Sequence, residues 1–339
     1  MNEIERALSV RYLFEPIQSF LDLPDITEIA INRPNEIWVE KNSRWQRFDV
    51  ELSFDHLKSM ATAVASYTDN NVSTTTPALS AVLPDKERIQ FVLSPAVAPD
   101  TMSVTIRKPS KTSRRLHEYE QDGFFDHVRH STNSTHDNIR PRDKELLTLK
   151  KSDIPAFLRL AVQLQKTMVI SGGTGSGKTT FMRALIEEIN PAQRIITIED
   201  VEELFLPNHP NHVHLFYPSE AMQGDPVTSA SLLKSCLRMK PDRIMLAELR
   251  GAETFDFINV GASGHGGSIT SCHANSAAMT FERMALMVLQ NPQGRSLPYD
   301  VILRLLHQVI DIVIHVENDV YSTEPLGRHV TEIYFDPSN

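Results

Sequence analysis

The sequence predicts an α/β protein: a P-loop motor domain on a parallel-rich sheet, preceded by a smaller α+β N-terminal domain. Three observations carry this. An apolar strand, Met168-Val169-Ile170, runs directly into Gly172-Gly173-Thr174-Gly175-Ser176-Gly177-Lys178-Thr179, which satisfies G-x-x-x-x-G-K-[ST], and Phe181, Leu185, Ile186 and Ile189 follow at helical spacing. Further short apolar runs at 194–198 and 243–247 alternate with helical stretches, as parallel strands joined by crossover helices do. The 339 residues are enough for two domains at roughly 100–200 residues each.

Taken in order, Val10, Leu13, Phe14, Ile17, Phe20 and Leu21 recur at helical spacing, and residues 29–31 and 37–39 then switch to short runs with strand character. Residues 36–40 and 45–48 flank the polar Lys41-Asn42-Ser43-Arg44 as a hairpin, and Ser53 is placed to cap a helix carrying Leu57, Met60 and Val64. Strands return at 88–93 and 102–106, and Pro109 ends the pattern of a domain expected over 1–110. From 111 to 150 apolar residues thin out around STNSTHDN, so a polar interdomain linker is expected there, with freedom for the domains to rock. The motor domain, 151–339, opens with a helix signalled by Ser152 or Asp153 as cap and Pro155 in the first turn.

Composition narrows the classes. With 41% hydrophobic and 23% charged residues the chain is neither disordered nor fibrous. A net charge of −9 argues against a broad nucleic-acid footprint, so direct nucleic-acid binding is not expected. Cys236 and Cys272 form neither a disulfide framework nor a C-x-x-C metal spacing and are expected to be buried small hydrophobes. No apolar run approaches the ~18–20 residues that span a bilayer, and the acidic, amphipathic N-terminus is unlike a signal peptide. A cytoplasmic protein that docks peripherally is expected.

The loop chemistry points to a nucleoside triphosphate. Its glycines let backbone N–H groups turn inward onto phosphate oxygens, and the following helix adds its positive end. Lys178 is expected on the β- and γ-phosphates, the Thr179 hydroxyl on Mg2+, and Thr180 completes the binding run. No N-K-x-D guanine-reading motif follows, which favours ATP. Hydrolysis also needs a group that orients water. Glu248 ends the strand at 243–247, where open α/β sheets carry their ligand chemistry, and Glu199-Asp200 ends the strand at 194–198 in the same way. His265 and His273 bracket a glycine turn and a short strand without a third metal ligand at suitable spacing, so His273 is assigned a γ-phosphate-sensing hydrogen bond.

Read together, GGTGSGKT, RIITIEDVEEL, LRMKPDRIMLAELRGAE and GHGGSITSCHANSA resemble the Walker A, Asp box, Walker B and His box of the secretion superfamily of hexameric ATPases. ITEIAINRPNEIWVE, LPDKERIQFVL and MSVTIRKPS resemble the N-terminal domain of the VirB-type traffic ATPases of type IV secretion systems, so the similarity covers nearly the whole chain. The cousins that assemble type II pseudopili commonly carry a four-cysteine zinc element, against which two cysteines speak.

The resemblance implies a RecA-like motor, a mostly β N-terminal domain and nucleotide between them. It further implies a homo-hexamer docked with other secretion components at the cytoplasmic face of the inner membrane, powering substrate export or pilus assembly. Carried over residue by residue, Glu248 is the Walker B glutamate, Glu199 and Asp200 belong to the Asp box and His273 to the His box. Arg107 matches the N-terminal-domain arginine that approaches the terminal phosphate. Val201 departs from the usual proline, and Ala247 from the usual aspartate before Glu248, which leaves Thr179 as the metal contact. Other basic candidates for the phosphates are Arg129, Arg140, Arg142, Arg194 and Arg250. The rival readings are a pilus assembly or retraction ATPase, a DNA translocase, and a nucleotide-gated scaffold without turnover.

Overall fold

The helical spacing at the N-terminus folds as two helices, α1 (Glu3–Leu13) and α2 (Glu15–Asp22), because Pro16 sits in the first turn of α2, where its missing N–H leaves no intrahelical bond unmade. The computed structural model describes residues 3–109, 115–126, 139–219 and 225–338. After α2 come β1 (Ile26–Ile31), the hairpin β2 (Glu36–Lys41) and β3 (Arg44–Asp49), and α3 (Phe54–Tyr67). The Ser53 hydroxyl accepts from the His56 N–H at 3.2 Å and caps α3 as its position predicts. Then β4 (Ala78–Val82), β5 (Arg88–Leu93) and β6 (Met102–Arg107) complete an antiparallel sheet ordered β3-β2-β1-β6-β5-β4. One face packs on the helices through a core that includes Ile17, Leu57, Met60, Phe91 and Val104. Each such side chain contributes about 1.5–3 kcal/mol on burial.

The region expected as a linker is more structured than its polarity suggests. Among its described residues it holds α4 (Leu116–Gln121) and α5 (Pro141–Ser152), and Leu146 of α5 is fully buried in the motor core. Only Asp143 and Leu146 of α5 are buried, so the helix carries no apolar period that sequence could reveal. The STNSTHDN segment lies outside the described residues.

The motor domain starts with α6 (Ile154–Gln163), whose Ala156 N–H donates to Asp153 Oδ1 at 3.0 Å. Alternation follows: β7 (Met168–Ser171), α7 (Lys178–Ile186), β8 (Ile195–Glu199), β9 (His212–Phe216), α8 (Ser229–Cys236), β10 (Arg243–Leu249), α9 (Glu253–Ala262) and β11 (Ile269–Cys272). Next are α10 (Ala277–Val288), a short 3-10 turn (Gly294–Ser296), α11 (Tyr299–Val309), and the hairpin β12 (Ile312–Asp319) and β13 (Gly327–Phe335). The sheet order is β13-β12-β7-β11-β10-β8-β9, and every neighbouring pair is parallel except β12 with β13. Cys236 and Cys272 are free and buried, as expected, and burial pushes the Cys272 thiol up to about 12.

The N-terminal domain covers the β9 edge of this sheet. Val92, Ala96 and Val97 enter the motor core, and the Phe216 N–H donates to the Ala96 carbonyl at 3.0 Å. At the other end of the seam the Arg194 guanidinium, fully buried, donates to Asn32 Oδ1 at 2.6 Å, Asn211 Oδ1 at 2.7 Å and the Met239 carbonyl at 2.9 Å. Trp45 Nε1 donates to Asp242 at 3.3 Å, and Lys240 pairs with Glu40 at 2.9 Å. An exposed edge strand is thus closed off within the chain.

Candidate nucleotide site

Two glycines make the phosphate loop sterically. A Cβ on Gly172 would lie 2.2 Å from the Val316 carbonyl oxygen, and Gly177, the residue before α7, has φ 94°, in the left-handed region that glycine tolerates best. The turn delivers Lys178, Thr179 and Thr180 to the first turn of α7, where backbone N–H groups have no helical partners. Lys178 Nζ donates to the carbonyls of Gly172 at 3.0 Å and Gly173 at 2.9 Å and lies 3.5 Å from His273 Nδ1. Burial holds its pKa below the ordinary lysine value, against the pull of the Glu248 charge. Gly175, Gly177, Lys178, Thr179, Thr180 and Arg328 line a cavity of about 190 Å³. A lysine held by two loop carbonyls and by His273, beside the backbone amides of the helix start and two threonine hydroxyls, fits a polyphosphate and its Mg2+.

Beside the loop, His273 follows β11 directly and Glu248 is the penultimate residue of β10. Glu248 Oε1 is 3.0 Å from His273 Nε2, and Glu248 Oε2 accepts from Arg250 Nε at 2.6 Å. Arg250 Nη1 donates to Asp200 Oδ2 at 2.7 Å, so one guanidinium ties the carboxylates after β8 and on β10 together. Burial opposes ionisation of Asp200, but the hydrogen bond and charge of Arg250 outweigh it and hold this carboxyl below the usual range. Burial likewise opposes the Arg250 charge, and the two carboxylates outweigh it and raise the pKa above the arginine norm. The geometry therefore joins Lys178, His273, Glu248, Arg250 and Asp200.

Three expected residues lie elsewhere. Glu199 is fully buried, accepts from Thr197 Oγ1 at 2.7 Å and from the N–H groups of Glu203 and Leu204 at 2.8 Å each, and has His214 Nδ1 at 3.2 Å. Its oxygens anchor the turn after β8 and have no lone pair directed at the loop; Asp200 is the acid of this box that reaches the site. Arg107 is also not brought to the loop. Its Nε is 3.5 Å from Glu28, and with Arg88, Arg238 and Lys240 it lines a cavity of about 370 Å³ at the N-terminal end of β10. Along β10, five residue steps from Arg243 to Glu248 separate that end from Glu248 by roughly 17 Å at ~3.3 Å per residue, and β9 lies four strands from β7. A motif match identified the residue, but domain packing decides what it faces. Arg194 is the seam residue described above.

Among the remaining candidates, Arg140 and Arg142 line a cavity with Lys166, just ahead of β7 and at the wrong end of it. His265 precedes β11 and lies at its N-terminal end. Arg129 lies outside the described residues. Asn318 of β12 and Arg328 of β13 were invisible to motif reading because they follow the loop by well over a hundred residues in a stretch without a pattern. No group of three or more His, Cys, Asp or Glu suited to a metal occurs among the described residues. No helix among them is long and apolar enough to cross a membrane.

Residues 13–315 match the protein family described as Type II/IV secretion system protein. The chain belongs to this family. It is 57% identical to the type IV secretion system protein VirB11 of Brucella abortus over 339 residues, covering 99% of this chain and 92% of that protein. With the type IV secretion system protein PtlH of Bordetella pertussis it shares 42% identity, covering 98% of this chain and 96% of that one. The crystal structure of the VirB11 ATPase from the Brucella suis type IV secretion system, in complex with sulphate, superposes with a TM-score of 0.92 at 56% identity, covering 99% of this chain and 96% of that one. The family's fold, a RecA-like motor behind an N-terminal domain, is the fold found here, and the VirB-type branch is the one its relatives represent along both domains.

Proposed function

We propose that this protein is a hexameric ATPase that hydrolyses Mg-ATP at the cytoplasmic face of the inner membrane and so powers substrate export or pilus assembly, or both, by a type IV secretion system. The observation that carries the reading is the linkage of Glu248 to Arg250, Asp200 and His273 within reach of Lys178. On ATP binding Lys178 exchanges its loop carbonyls for β- and γ-phosphate oxygens, and the N–H groups at the start of α7 take the phosphates end-on. The Thr179 hydroxyl would hold Mg2+, which when bound would supply charge neutralisation at those oxygens. Glu248 accepts a hydrogen bond from the attacking water and fixes it in line, while His273, beside it on the same flank of the loop, reads the γ-phosphate. Arg250, between Glu248 and Asp200, senses the same phosphate through the carboxylates it bridges.

Arg107 bears on the quaternary structure. In this chain it lies at the far end of the sheet, so we assign any N-terminal arginine that completes the site to a neighbouring subunit of a ring. Steady-state hydrolysis by wild type, Lys178→Ala and Glu248→Gln, with light scattering on the same samples with and without Mg-ATP, tests the motor. Turnover by a wild-type hexamer, lost in Lys178→Ala and lost with binding retained in Glu248→Gln, is expected. Binding without turnover in wild type, even with secretion partners present, would replace the motor by a scaffold. Mixing Arg107→Ala with Lys178→Ala tests the arginine: shared rings contain intact interfaces and regain turnover only if Arg107 acts across subunits.

A further inference from the structure

We infer that Arg328 is a nucleotide-binding residue that grips the α-phosphate, the part of the ligand common to ATP and ADP; the inference rests on the reading of the loop as an ATP site. Its position follows from topology. β12 pairs with β7 in parallel up to His315 opposite Ser171, then runs on past the sheet's C-terminal edge, and β13 returns beside it with Arg328 opposite Asn318. The hairpin thereby walls the outer side of the phosphate loop. The approach is tight, since the Val316 carbonyl occupies the space a Gly172 side chain would need.

Arg328 lies across this wall. Its Nε donates to the Gly175 carbonyl at 3.3 Å, and its Cδ sits 3.2 Å from where a Cβ on Gly177 would be. Asn318 Nδ2 reaches the same carbonyl at 3.5 Å. A phosphate loop turns its amides inward and its carbonyls outward, so a guanidinium tethered by Nε to an outward carbonyl keeps its two Nη groups for the mouth of the cavity. That mouth is formed by Lys178, Thr179 and Thr180. Arg328 is exposed, and no carboxylate pairs with it among the described residues, in contrast to Arg250.

The side of approach fixes what it touches. Glu248 on β10 and His273, just after β11, lie on one flank of β7, whereas β12 and β13 form the other flank. Arg328 thus faces away from the cleaved bond. A planar fork at that place suits a phosphate bidentately, and because the α-phosphate is unchanged by hydrolysis its contribution is equal before and after the chemical step.

The test is equilibrium binding of Mg-ATP and Mg-ADP to wild type, Arg328→Ala, Arg328→Lys and, as reference, Lys178→Ala, with KM and kcat for the Arg328 variants. Arg328→Ala is expected to weaken ATP and ADP by the same factor, about 10-fold or more, and to raise KM by that factor with kcat within about twofold. Arg328→Lys, which keeps the charge without the fork, is expected to fall between the two. Unchanged affinities in Arg328→Ala, with binding lost in Lys178→Ala, would make Arg328 a strut of the loop and overturn the inference alone. A fall in kcat at constant KM would place it at the chemical step and overturn it as well. A wild type that binds neither nucleotide would overturn the ATP site itself.

Discussion

Replacing Arg194 by methionine should cost the fold about 3 kcal/mol and loosen the seam between the domains. Methionine keeps most of the buried stem but leaves Asn32 Oδ1 and the Met239 carbonyl without their donor, and removes one donor from Asn211. At ~1–3 kcal/mol for each of these three acceptors the loss centres near 6 kcal/mol. Against it stands relief of the buried charge: burial, only partly countered by Asp242, holds the guanidinium near a pKa of about 10 in place of 12.5, equivalent to about 3 kcal/mol. The assay is urea unfolding followed by tryptophan fluorescence. Trp38 and Trp45 are the chain's two tryptophans, and the Trp45 ring lies 5.6 Å from the Arg194 guanidinium, so a Trp38→Phe background reports on the seam. Asn32→Leu, combined with Arg194→Met, should be strongly non-additive, because each removes the partner of the other. Equal stability of wild type and Arg194→Met, or strict additivity in the cycle, would refute the reasoning.

Three further outcomes are expected. Glu199→Ala removes a buried carboxylate with four hydrogen-bond partners and should destabilise by about 3–4 kcal/mol and expose residues 200–206 to limited proteolysis, checked by thermal melting and peptide mapping. Arg250→Ala frees both Glu248 and Asp200 and should lower kcat about 100- to 1,000-fold while leaving KM for ATP within about threefold, measured by steady-state hydrolysis. Glu28, whose folded pKa is pushed up to about 7 by burial despite the Arg107 charge, binds its proton more tightly folded than unfolded, so its contribution is fully present below 4.5 and is lost as pH rises towards 7. Glu28→Gln should therefore melt higher than wild type at pH 8, by up to a few degrees, with the gap closing by pH 4.5; a gap independent of pH would count against it.

Much of this architecture was legible because its causes are local. The strand into Gly172, the cap at Ser53, the cap at Asp153 and the apolar runs of β8 and β10 are each set by residues within a turn of one another. What sequence could not show depends on distant partners. α5 reads as linker because Leu146 is its one fully buried apolar residue, with Leu147 and Leu149 packed on the core only in part. Glu199 and Asp200 are neighbours with the same chemistry, and only the inward pleat of β8 turns one to the core and leaves the other for Arg250. Arg107 ends β6, as its motif predicts a strand-end arginine, yet the domain that holds it packs on β9, across the sheet from the loop. Arg328 reaches the loop through strand pairing alone, which no spacing encodes.

The two carbonyls that hold Lys178 set a threshold for what can enter the site. Because the lysine is already partnered at 3.0 and 2.9 Å, a ligand must exchange those contacts before it gains any. A single phosphate dianion recovers little from such a trade, whereas a chain of phosphates that also engages the helix amides and threonine hydroxyls recovers it several times over. The loop thus discriminates by length of anion, and it does so before any residue reads the base. Free phosphate, a product of the proposed reaction, is a poor competitor for the same lysine.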